Sequence, residues 1–328
     1  MAEAPDRNFA LELTRVTEAA AIAAARFQGR GDKHAVDHAA VEAMRLILST
    51  IQIDGTIVIG EGEKDNAPWL FNGEQVGAGN GPRVDVAVDP VDGTRLTAEG
   101  LSGALAVIAV SERGSMYAPG KLVYMEKLAV GPEAAGTIDI EAPLEYNLQQ
   151  VAKARNKEVA DLTVIMLNRP RNQRYVNEVR VAGARIQLIP DGDISAAIAT
   201  AMPESGIDLL VGIGGSPEAV IAAAALRCLE GEVQCRLWPR DETEVQAAAV
   251  AGLDLRKVLR TSDLCGSENI FFAATGVTDG ELLGGVKFTG KRAETSSIVM
   301  RSKTGAIRTI NTNHNMDKIR QLSPLEIE

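Results

Sequence analysis

Apolar residues recur at three- and four-residue spacing near the start of the chain, which predicts helices with one buried stripe. In the first predicted helix, within residues 9–27, the stripe is formed by Leu13, Val16, Ala20, Ala24 and Phe27. A glycine-rich segment at residues 29–31 ends that pattern, and Asp32 is placed to cap a second helix. The inner face of this second helix comprises Val36, Ala40, Met44 and Ile47.

Short runs of β-branched and small apolar residues predict strands after these helices. They lie at residues 55–60 and 84–88 and within residues 101–110 and 120–130. The polar, glycine-rich stretch 72–83 predicts a loop or hairpin. The strand at residues 84–88 delivers Asp89 at its carboxyl end, where the chain changes from apolar to polar.

Predicted strands and helices alternate from about residue 162 onward. Strands are predicted at residues 162–167, 185–189, 207–211, 270–274, 297–301 and 307–310, and helices at 173–182, 195–201 and 217–229. Such alternation favours a parallel or mixed sheet covered by helices. A polar seam at residues 150–161 precedes it, so we expect an amino-terminal α/β half of residues 1–160 and a carboxyl-terminal α/β half of residues 161–328.

Composition excludes several classes of partner. The net charge of −10 argues against general nucleic-acid binding, which uses a surplus of Lys and Arg, but it permits a small anionic substrate. No apolar run approaches the roughly 20 residues that cross a bilayer, and the polar start lacks the order of a signal segment. The three cysteines form no CxxC motif and predict reduced thiols. We expect a soluble, cytoplasmic protein.

The segment Asp89-Pro90-Val91-Asp92-Gly93-Thr94 carries the strongest chemical signal. Pro90 fixes its own φ and biases Asp89 towards an extended conformation, so a sharp turn after the strand would aim both carboxylates into one space. Hard oxygen ligands of this kind suit Mg²⁺ or Mn²⁺. If a helix follows, the backbone N–H groups of Gly93 and Thr94 can face a phosphate.

Two other aspartate-rich loops are excluded by spacing. The calcium loop of EF-hands needs carboxylates at alternate positions, which this segment lacks. The haloacid-dehalogenase phosphatases carry two aspartates two positions apart, whereas Asp89 and Asp92 are three apart. This difference points to a metal-activated water rather than an aspartyl phosphate. A polar turn explains a lone Asp-Gly pair, but the whole hexapeptide after a strand favours a catalytic interpretation.

The hexapeptide resembles the signature of the lithium-sensitive, inositol-monophosphatase-like phosphatases. Other segments narrow the resemblance to the class II fructose-1,6-bisphosphatases: GRGDK at residues 29–33, IVIGEGE at 57–63, YMEK at 124–127, PDGD at 190–193 and GIGGSPE at 212–218. It extends from about residue 6 to residue 314. It implies an α/β fold with a mixed sheet in a layered αβαβα sandwich, and hydrolysis of D-fructose 1,6-bisphosphate to fructose 6-phosphate and phosphate in gluconeogenesis.

The resemblance also implies roles for individual residues. The implied metal ligands for Mg²⁺ or Mn²⁺ are Asp37, Glu61, Asp89, Asp92 and Glu218. The implied substrate contacts are Asp92, Gly93, Thr94, Tyr124, Arg169, Arg171, Asp191, Asp193 and Gly215. Catalysis is assigned to Thr94 and Glu61, which would position and deprotonate a water, and to Lys33, which would add positive charge. Many relatives have Glu at the position of Asp92 and Gly at that of Ala219; the first change keeps a hard oxygen ligand, and the second can alter phosphate fit.

Ordinary explanations exist for several of these residues taken singly. Lys33 and Asp37 are four apart and can form a surface ion pair on a helix. Glu218 can simply complement a helix dipole. Arg169 and Arg171 can form a solvated turn, although an arginine fork also matches the second, non-reacting phosphate of a bisphosphate.

The sequence leaves other functions open. Another preferred substrate, such as sedoheptulose 1,7-bisphosphate or an inositol-phosphate-type compound, is the nearest alternative. A non-catalytic sugar-phosphate sensor is an alternative from another class, although it has no need of a water-positioning set. We expect a homo-oligomer, either a dimer or a tetramer.

Overall fold

The computed structural model describes residues 9–61 and 69–322, so Gly62 and Glu63 of the IVIGEGE motif lie outside the described residues. The chain divides into two compact units. Unit 1 comprises Met1–Gly114 together with Asn269–Glu328, and unit 2 comprises Ser115–Glu268. The expected boundary between residues 160 and 161 falls within unit 2, and the end of the chain belongs to unit 1.

The amino-terminal part of unit 1 begins with the two predicted helices. Its elements are α1 (Phe9–Ala25), α2 (Lys33–Leu48), β1 (Asp54–Ile59), β2 (Gln75–Val76), β3 (Arg83–Asp92), α3 (Thr94–Glu99) and β4 (Leu105–Glu112). The predicted cap of α2 is confirmed, because the side chain of Asp32 accepts a hydrogen bond from Ala35 N at 3.0 Å. The stretch 72–83, predicted as a loop or hairpin, is mostly loop, and its short strand β2 pairs antiparallel with β1.

The chain then builds unit 2 and returns to unit 1. Unit 2 contains β5 (Tyr124–Val130), α4 (Leu144–Ala154), β6 (Thr163–Leu167), α5 (Gln173–Val181), β7 (Arg185–Ile189), α6 (Asp193–Ala199), β8 (Leu209–Gly215), α7 (Ser216–Cys228), β9 (Glu232–Leu237), α8 (Glu242–Val250), β10 (Leu259–Arg260) and α9 (Thr261–Leu264). Unit 1 then continues with β11 (Phe271–Gly276), β12 (Lys287–Thr289), β13 (Arg292–Arg301), β14 (Ala306–Asn315) and α10 (Met316–Leu322). The sequence did not predict β9, α8, β10, α9, β12 or α10.

The sheet of unit 1 joins strands from both ends of the chain. Its order is β12-β13-β11-β4-β3-β1-β2, and β14 pairs with β13. β1 and β3 are parallel, whereas β3 and β4 are antiparallel. Helices α1 and α2 pack on one face, where Leu13 and Met44 share a core with Val86 and Ile108. Alternate residues of β3 therefore face either these helices or the opposite side.

The sheet of unit 2 is covered by helices on both faces. Its order is β10-β9-β5-β8-β6-β7, with β6 parallel to β7 and β8, and β5 antiparallel to β8 and β9. Leu128 of β5 belongs to a core with residues of α4 and α5. The adjacent Lys127 contacts Asp193 of α6, on the other face. The two mixed sheets and ten helices of the described residues confirm the predicted mixed α/β class.

The predicted state of the cysteines agrees with the structure. Cys228, Cys235 and Cys265 are buried, and none of them forms a disulfide within the described residues. Burial raises the pKa of the Cys235 thiol to about 12, which keeps it protonated at neutral pH. Among the described residues, no helix combines the length and the apolar character needed to cross a membrane.

A chain of buried hydroxyl groups ties α1 to two strands of the sheet in unit 1. Thr17 Oγ1 lies 2.7 Å from Thr275 Oγ1, which lies 2.8 Å from Ser297 Oγ. Thr17 also donates to Thr14 O at 3.0 Å. The hydroxyl of Thr275 is the link between the other two, since it contacts both.

We predict that Thr275→Val destabilises the protein, because it leaves the buried hydroxyls of Thr17 and Ser297 without their shared partner. The expected loss in free energy of unfolding is about 1–3 kcal/mol, measured by urea denaturation. Thr309→Val, on the exposed side of β14, is the control and should change stability by less than about 0.5 kcal/mol. Equal stability of the two variants would contradict the role given to Thr275.

Candidate active site

β3 continues through Asp89 to Asp92, so the predicted strand end at Val88 is wrong. Asp89 lies opposite Val107 and Asp92 lies opposite Leu105, with a β-bulge between them. β3 thus has one residue more than β4 over this stretch. Because Val107 and Leu105 are alternate residues, they share one face of the sheet, and their partners Asp89 and Asp92 share it too. This is the face away from α1 and α2, since neither Val107 nor Leu105 belongs to their core.

The bulge accounts for the proline of the hexapeptide. Pro90 has no N–H to donate, and a bulge is one of the few places in a sheet where that omission costs no ladder hydrogen bond. The carboxylate of Asp89 accepts from Val91 N at 3.1 Å. Asp92 is buried, with 5% of its surface exposed. The two carboxylates are brought to one side by a bulge within the strand, not by the predicted turn after it.

Gly93 and Thr94 turn the chain directly into a helix. Gly93 has a φ of 94°, a left-handed conformation that glycine adopts without strain. Thr94 is the first residue of α3, so the helix required for its N–H to face a phosphate is present. The hydroxyl of Thr94 donates to Val91 O at 3.1 Å. Its oxygen lone pairs therefore remain able to accept a hydrogen bond.

Glu61 follows the strand that lies beside β3. In the parallel pairing Ile59 is the partner of Ala87, and Glu61 and Asp89 each come two residues later. The carboxyl ends of β1 and β3 thus bring both residues to one edge of the sheet. A side chain on Gly60 would place its Cβ 2.0 Å from Leu70 O, which explains why glycine precedes Glu61.

The GRGDK segment is hydrogen-bonded to α3. Gly29 N donates to Thr97 O at 2.9 Å and Gly31 N to Ala98 O at 2.8 Å. Lys33 then begins α2 as an exposed residue, and Asp37 follows one turn later, half-buried. Lys33 forms no ion pair with any residue that the structure describes, so the ordinary explanation of a surface pair with Asp37 does not apply there.

The carboxylates of unit 1 have the right chemistry for a hard divalent cation. Asp37, Glu61, Asp89 and Asp92 supply only oxygen donors, which Mg²⁺ and Mn²⁺ prefer. Within residues 9–61 and 69–322, however, no three His, Cys, Asp or Glu side chains lie close enough to hold a metal ion. The structure therefore places Asp89 and Asp92 on one face and Glu61 at the same edge, without assembling a ligand shell.

In unit 2, the GIGGSPE motif makes room for two carboxylates. Glu218 lies in the first turn of α7 and reaches back over Gly215, where an added Cβ would meet its Oε2 at 1.8 Å. A Cβ on Gly214 would meet Asp193 Oδ2 at 2.0 Å. Both glycines are needed because a carboxylate occupies the space of the missing side chain.

A buried cation, not assigned from the sequence, pairs with one of these carboxylates. Lys127 Nζ lies 2.5 Å from Asp193 Oδ2, and both side chains are buried. Burial lowers the pKa of Lys127, but the charges of Asp193 and Glu218 and the hydrogen bond to Asp193 raise it further, so the net pKa lies above its ordinary value. A lysine directly before the buried apolar residues 128–130 of the same strand was the signal that could have identified it. Asp193, expected to bind sugar hydroxyls, thus already has a cationic partner.

Three of the residues that were predicted to contact substrate lie close together, namely Tyr124, Arg171 and Gly215. Tyr124 pairs with Gly215 across β5 and β8. The guanidinium carbon of Arg171 lies 4.3 Å from the centre of the Tyr124 ring, and its Nε donates to Ile213 O at 3.0 Å. Among the described residues, neither the Tyr124 hydroxyl nor the terminal nitrogens of Arg171 have a hydrogen-bond partner. These donors are therefore available to a ligand.

Asn172, which the sequence did not single out, orients Arg171. It is 1% exposed; its side chain accepts from Ile213 N at 2.7 Å and donates to Leu167 O at 3.0 Å. These bonds anchor the 3₁₀ turn Pro170–Asn172 to β8. Arg169, at the start of this turn, instead forms an ion pair with Asp191 at 3.6 Å.

Comparisons with known proteins agree on one family. The model of the family described as "Bacterial fructose-1,6-bisphosphatase, glpX-encoded" matches residues 7–314. The chain is 47% identical over 326 residues to fructose-1,6-bisphosphatase 1 class 2 of Escherichia coli K12, covering 95% of this chain and 96% of that protein. The class 2 fructose-1,6-bisphosphatases of Escherichia coli O6:H1 and Shigella flexneri show the same 47% identity and the same 95% and 96% coverage.

We predict that Lys127→Met destabilises unit 2 strongly, because it leaves Asp193 as a buried charge without its cation. The expected loss is about 3–5 kcal/mol in free energy of unfolding, measured by chemical denaturation. The double variant Lys127→Met/Asp193→Asn removes the orphaned charge and should recover more than half of the loss. A double variant no more stable than Lys127→Met would contradict the pairing.

Proposed function

The chain belongs to the bacterial, glpX-encoded fructose-1,6-bisphosphatase family, and we propose from this premise that it releases the 1-phosphate of its substrate with a metal-activated water. It is a phosphatase that hydrolyses D-fructose 1,6-bisphosphate to D-fructose 6-phosphate and phosphate. The observation that carries the proposed mechanism is the shared face of Asp89 and Asp92, which the bulge in β3 creates. An aspartyl-phosphate route is not needed, because the reacting phosphate can be attacked by water directly.

The proposed cofactor is Mg²⁺ or Mn²⁺. Asp37, Glu61, Asp89 and Asp92 of unit 1 and Glu218 of unit 2 are the proposed ligands, and all offer hard carboxylate oxygens. Such a cation, when bound, neutralises phosphoryl charge and lowers the pKa of a bound water. Many relatives have Glu at the position of Asp92. Because both side chains are carboxylates, this difference keeps a hard oxygen ligand at the position.

Thr94 and Glu61 are the proposed water-handling pair. The hydroxyl of Thr94 donates to Val91 O, so its oxygen can accept a hydrogen bond from the attacking water. Glu61 would take the proton that the water loses on attack. Gly93 and Thr94 offer backbone N–H groups at the start of α3 to the phosphoryl oxygens. Lys33, without an ion-pair partner among the described residues, would add positive charge to the transition state.

The substrate residues of unit 2 are proposed to hold the non-reacting end of the sugar. Arg171 and Tyr124 supply hydrogen-bond donors without partners in the described chain, which suits a phosphate dianion. Arg169, Asp191, Asp193 and the backbone at Gly215 would contact the sugar. Asp193 would do so with the part of its carboxylate that Lys127 does not engage.

We also propose a superfamily, a cellular location and an oligomeric state for the protein. The hexapeptide supports a place within the lithium-sensitive, inositol-monophosphatase-like superfamily. A cytoplasmic location and a homo-oligomeric state, dimer or tetramer, stay predictions.

We predict that phosphate release requires a divalent cation and is greatest with fructose 1,6-bisphosphate. Release would be measured with and without Mn²⁺ for fructose 1,6-bisphosphate, sedoheptulose 1,7-bisphosphate and an inositol monophosphate. A higher kcat/KM for either of the other compounds would move the substrate assignment to that compound. No release from any compound by folded protein with metal present would leave the sugar-phosphate sensor as the better explanation.

We predict that Thr94→Ala loses most turnover while it still folds and binds substrate, because the hydroxyl that orients the water is removed and only a methyl group is lost with it. The expected fall in kcat is about 10²- to 10⁴-fold with little change in substrate affinity. Thr94→Ser keeps the hydroxyl and serves as the control that should retain most activity. A near wild-type kcat for Thr94→Ala would show that the assignment of Thr94 is wrong.

A further inference from the structure

A second arginine lies at the ring of Tyr124. The guanidinium carbon of Arg240 is 5.9 Å from the centre of that ring, on which Arg171 is already stacked at 4.3 Å. The Trp238 ring meets the same ring edge-on at 6.2 Å, and the backbone N–H of Trp238 donates to the Tyr124 backbone carbonyl at 3.0 Å. The short segment from Trp238 to Arg240 is thus tied to the beginning of β5.

Arg240 is held in place by a buried carboxylate. Glu244, 6% exposed, accepts from Arg240 Nε at 2.6 Å with one oxygen and from Arg240 N at 2.7 Å with the other. Arg240 Nη2 lies 2.5 Å from the first of these oxygens. Asp241 caps the helix from which Glu244 projects, because its side chain accepts from Glu244 N at 3.0 Å. Both the backbone and the side chain of Arg240 are therefore oriented, and within the described chain Nη1 has no hydrogen-bond partner.

An arginine elsewhere in unit 2 has the same local features and provides a contrast. Arg174 pairs with Glu178 four residues later, with Nε 2.6 Å from Oε1, and lies 5.6 Å from the ring of Tyr175. The hydroxyl of Tyr175, however, is bonded to Glu126. The ion pair and the ring contact therefore do not by themselves indicate a ligand site. The difference at Arg240 is its neighbourhood, where the Tyr124 hydroxyl and the terminal nitrogens of Arg171 also lack partners in the part of the chain described.

We propose that Arg240 is a specificity-determining residue that joins Arg171 and Tyr124 in binding the non-reacting phosphate of the sugar bisphosphate. A phosphate dianion accepts several charge-assisted hydrogen bonds, and planar guanidinium groups supply them with defined direction. The hydroxyl of Tyr124 adds a neutral donor. This assignment rests on the proposed function, because it concerns the same substrate.

The test compares Arg240→Gln with the matched control Arg174→Gln. Calorimetric binding of fructose 6-phosphate, which carries only the non-reacting phosphate, should weaken about 10-fold or more in Arg240→Gln and stay unchanged in Arg174→Gln. The KM for fructose 1,6-bisphosphate should rise by a similar factor with kcat largely kept. For fructose 1-phosphate, which lacks the second phosphate, kcat/KM should be the same in both variants. Arg240→Lys keeps the charge but not the fork, so its binding should be intermediate.

The outcomes separate this assignment from the proposed function. Binding of fructose 6-phosphate that is as tight in Arg240→Gln as in the wild type would overturn the assignment, and so would an equal loss in Arg174→Gln. Absence of fructose 6-phosphate binding to the wild type would overturn it as well. If fructose 6-phosphate binds in an Arg240-dependent way but the wild type releases no phosphate from the bisphosphate, the phosphate subsite stands and the proposed reaction fails.

Discussion

The extra residue in β3 between Asp89 and Asp92 is the constraint on which the carboxylate arrangement of unit 1 depends. Residues three apart in a regular strand point to opposite faces, so without the bulge one aspartate would lie on the face covered by α1 and α2. A buried carboxylate on that apolar face would be strongly destabilising. Pro90 fits the bulge because it has no N–H, and Gly93 fits the left-handed turn that follows. The hexapeptide is thus set by backbone geometry as much as by metal chemistry.

Unit 2 also contains carboxylates within the fold, and glycines and a buried lysine accommodate them. Its carboxylates at Asp193 and Glu218 lie against Gly214 and Gly215, where any side chain would displace them. The buried charge of Asp193 needs a partner, and Lys127 of β5 provides it. The register of β5 and β8 brings the YMEK and GIGGSPE motifs side by side, so the two motifs form one structural unit.

Local signals predicted most elements, and non-local contacts were missed. The cap at Asp32 and the strand preceding Asp89 follow from neighbouring residues, so the sequence alone was sufficient for them. The end of that strand was misplaced because the change from apolar to polar residues at Asp89 resembles a strand end, whereas the bulge lets the strand continue to Asp92. The pairing of β11 with β4 brings residues from late in the chain into the sheet of unit 1. No local sequence pattern indicates this pairing. Arg240 was not identified from the sequence for the same reason, because it lies near Tyr124 only in the folded structure.

The distribution of charge suggests why two different means of binding phosphate would occur in one enzyme. The proposed metal ligands are carboxylates, which repel a phosphate dianion unless a cation lies between them. A divalent cation held by them would neutralise the reacting phosphate and the charge that develops on its leaving oxygen. The non-reacting phosphate keeps its charge and shape throughout, so fixed guanidinium forks such as Arg171 suit it better. A net charge of −10 is therefore compatible with a doubly phosphorylated substrate, because the positive charge that matters is local.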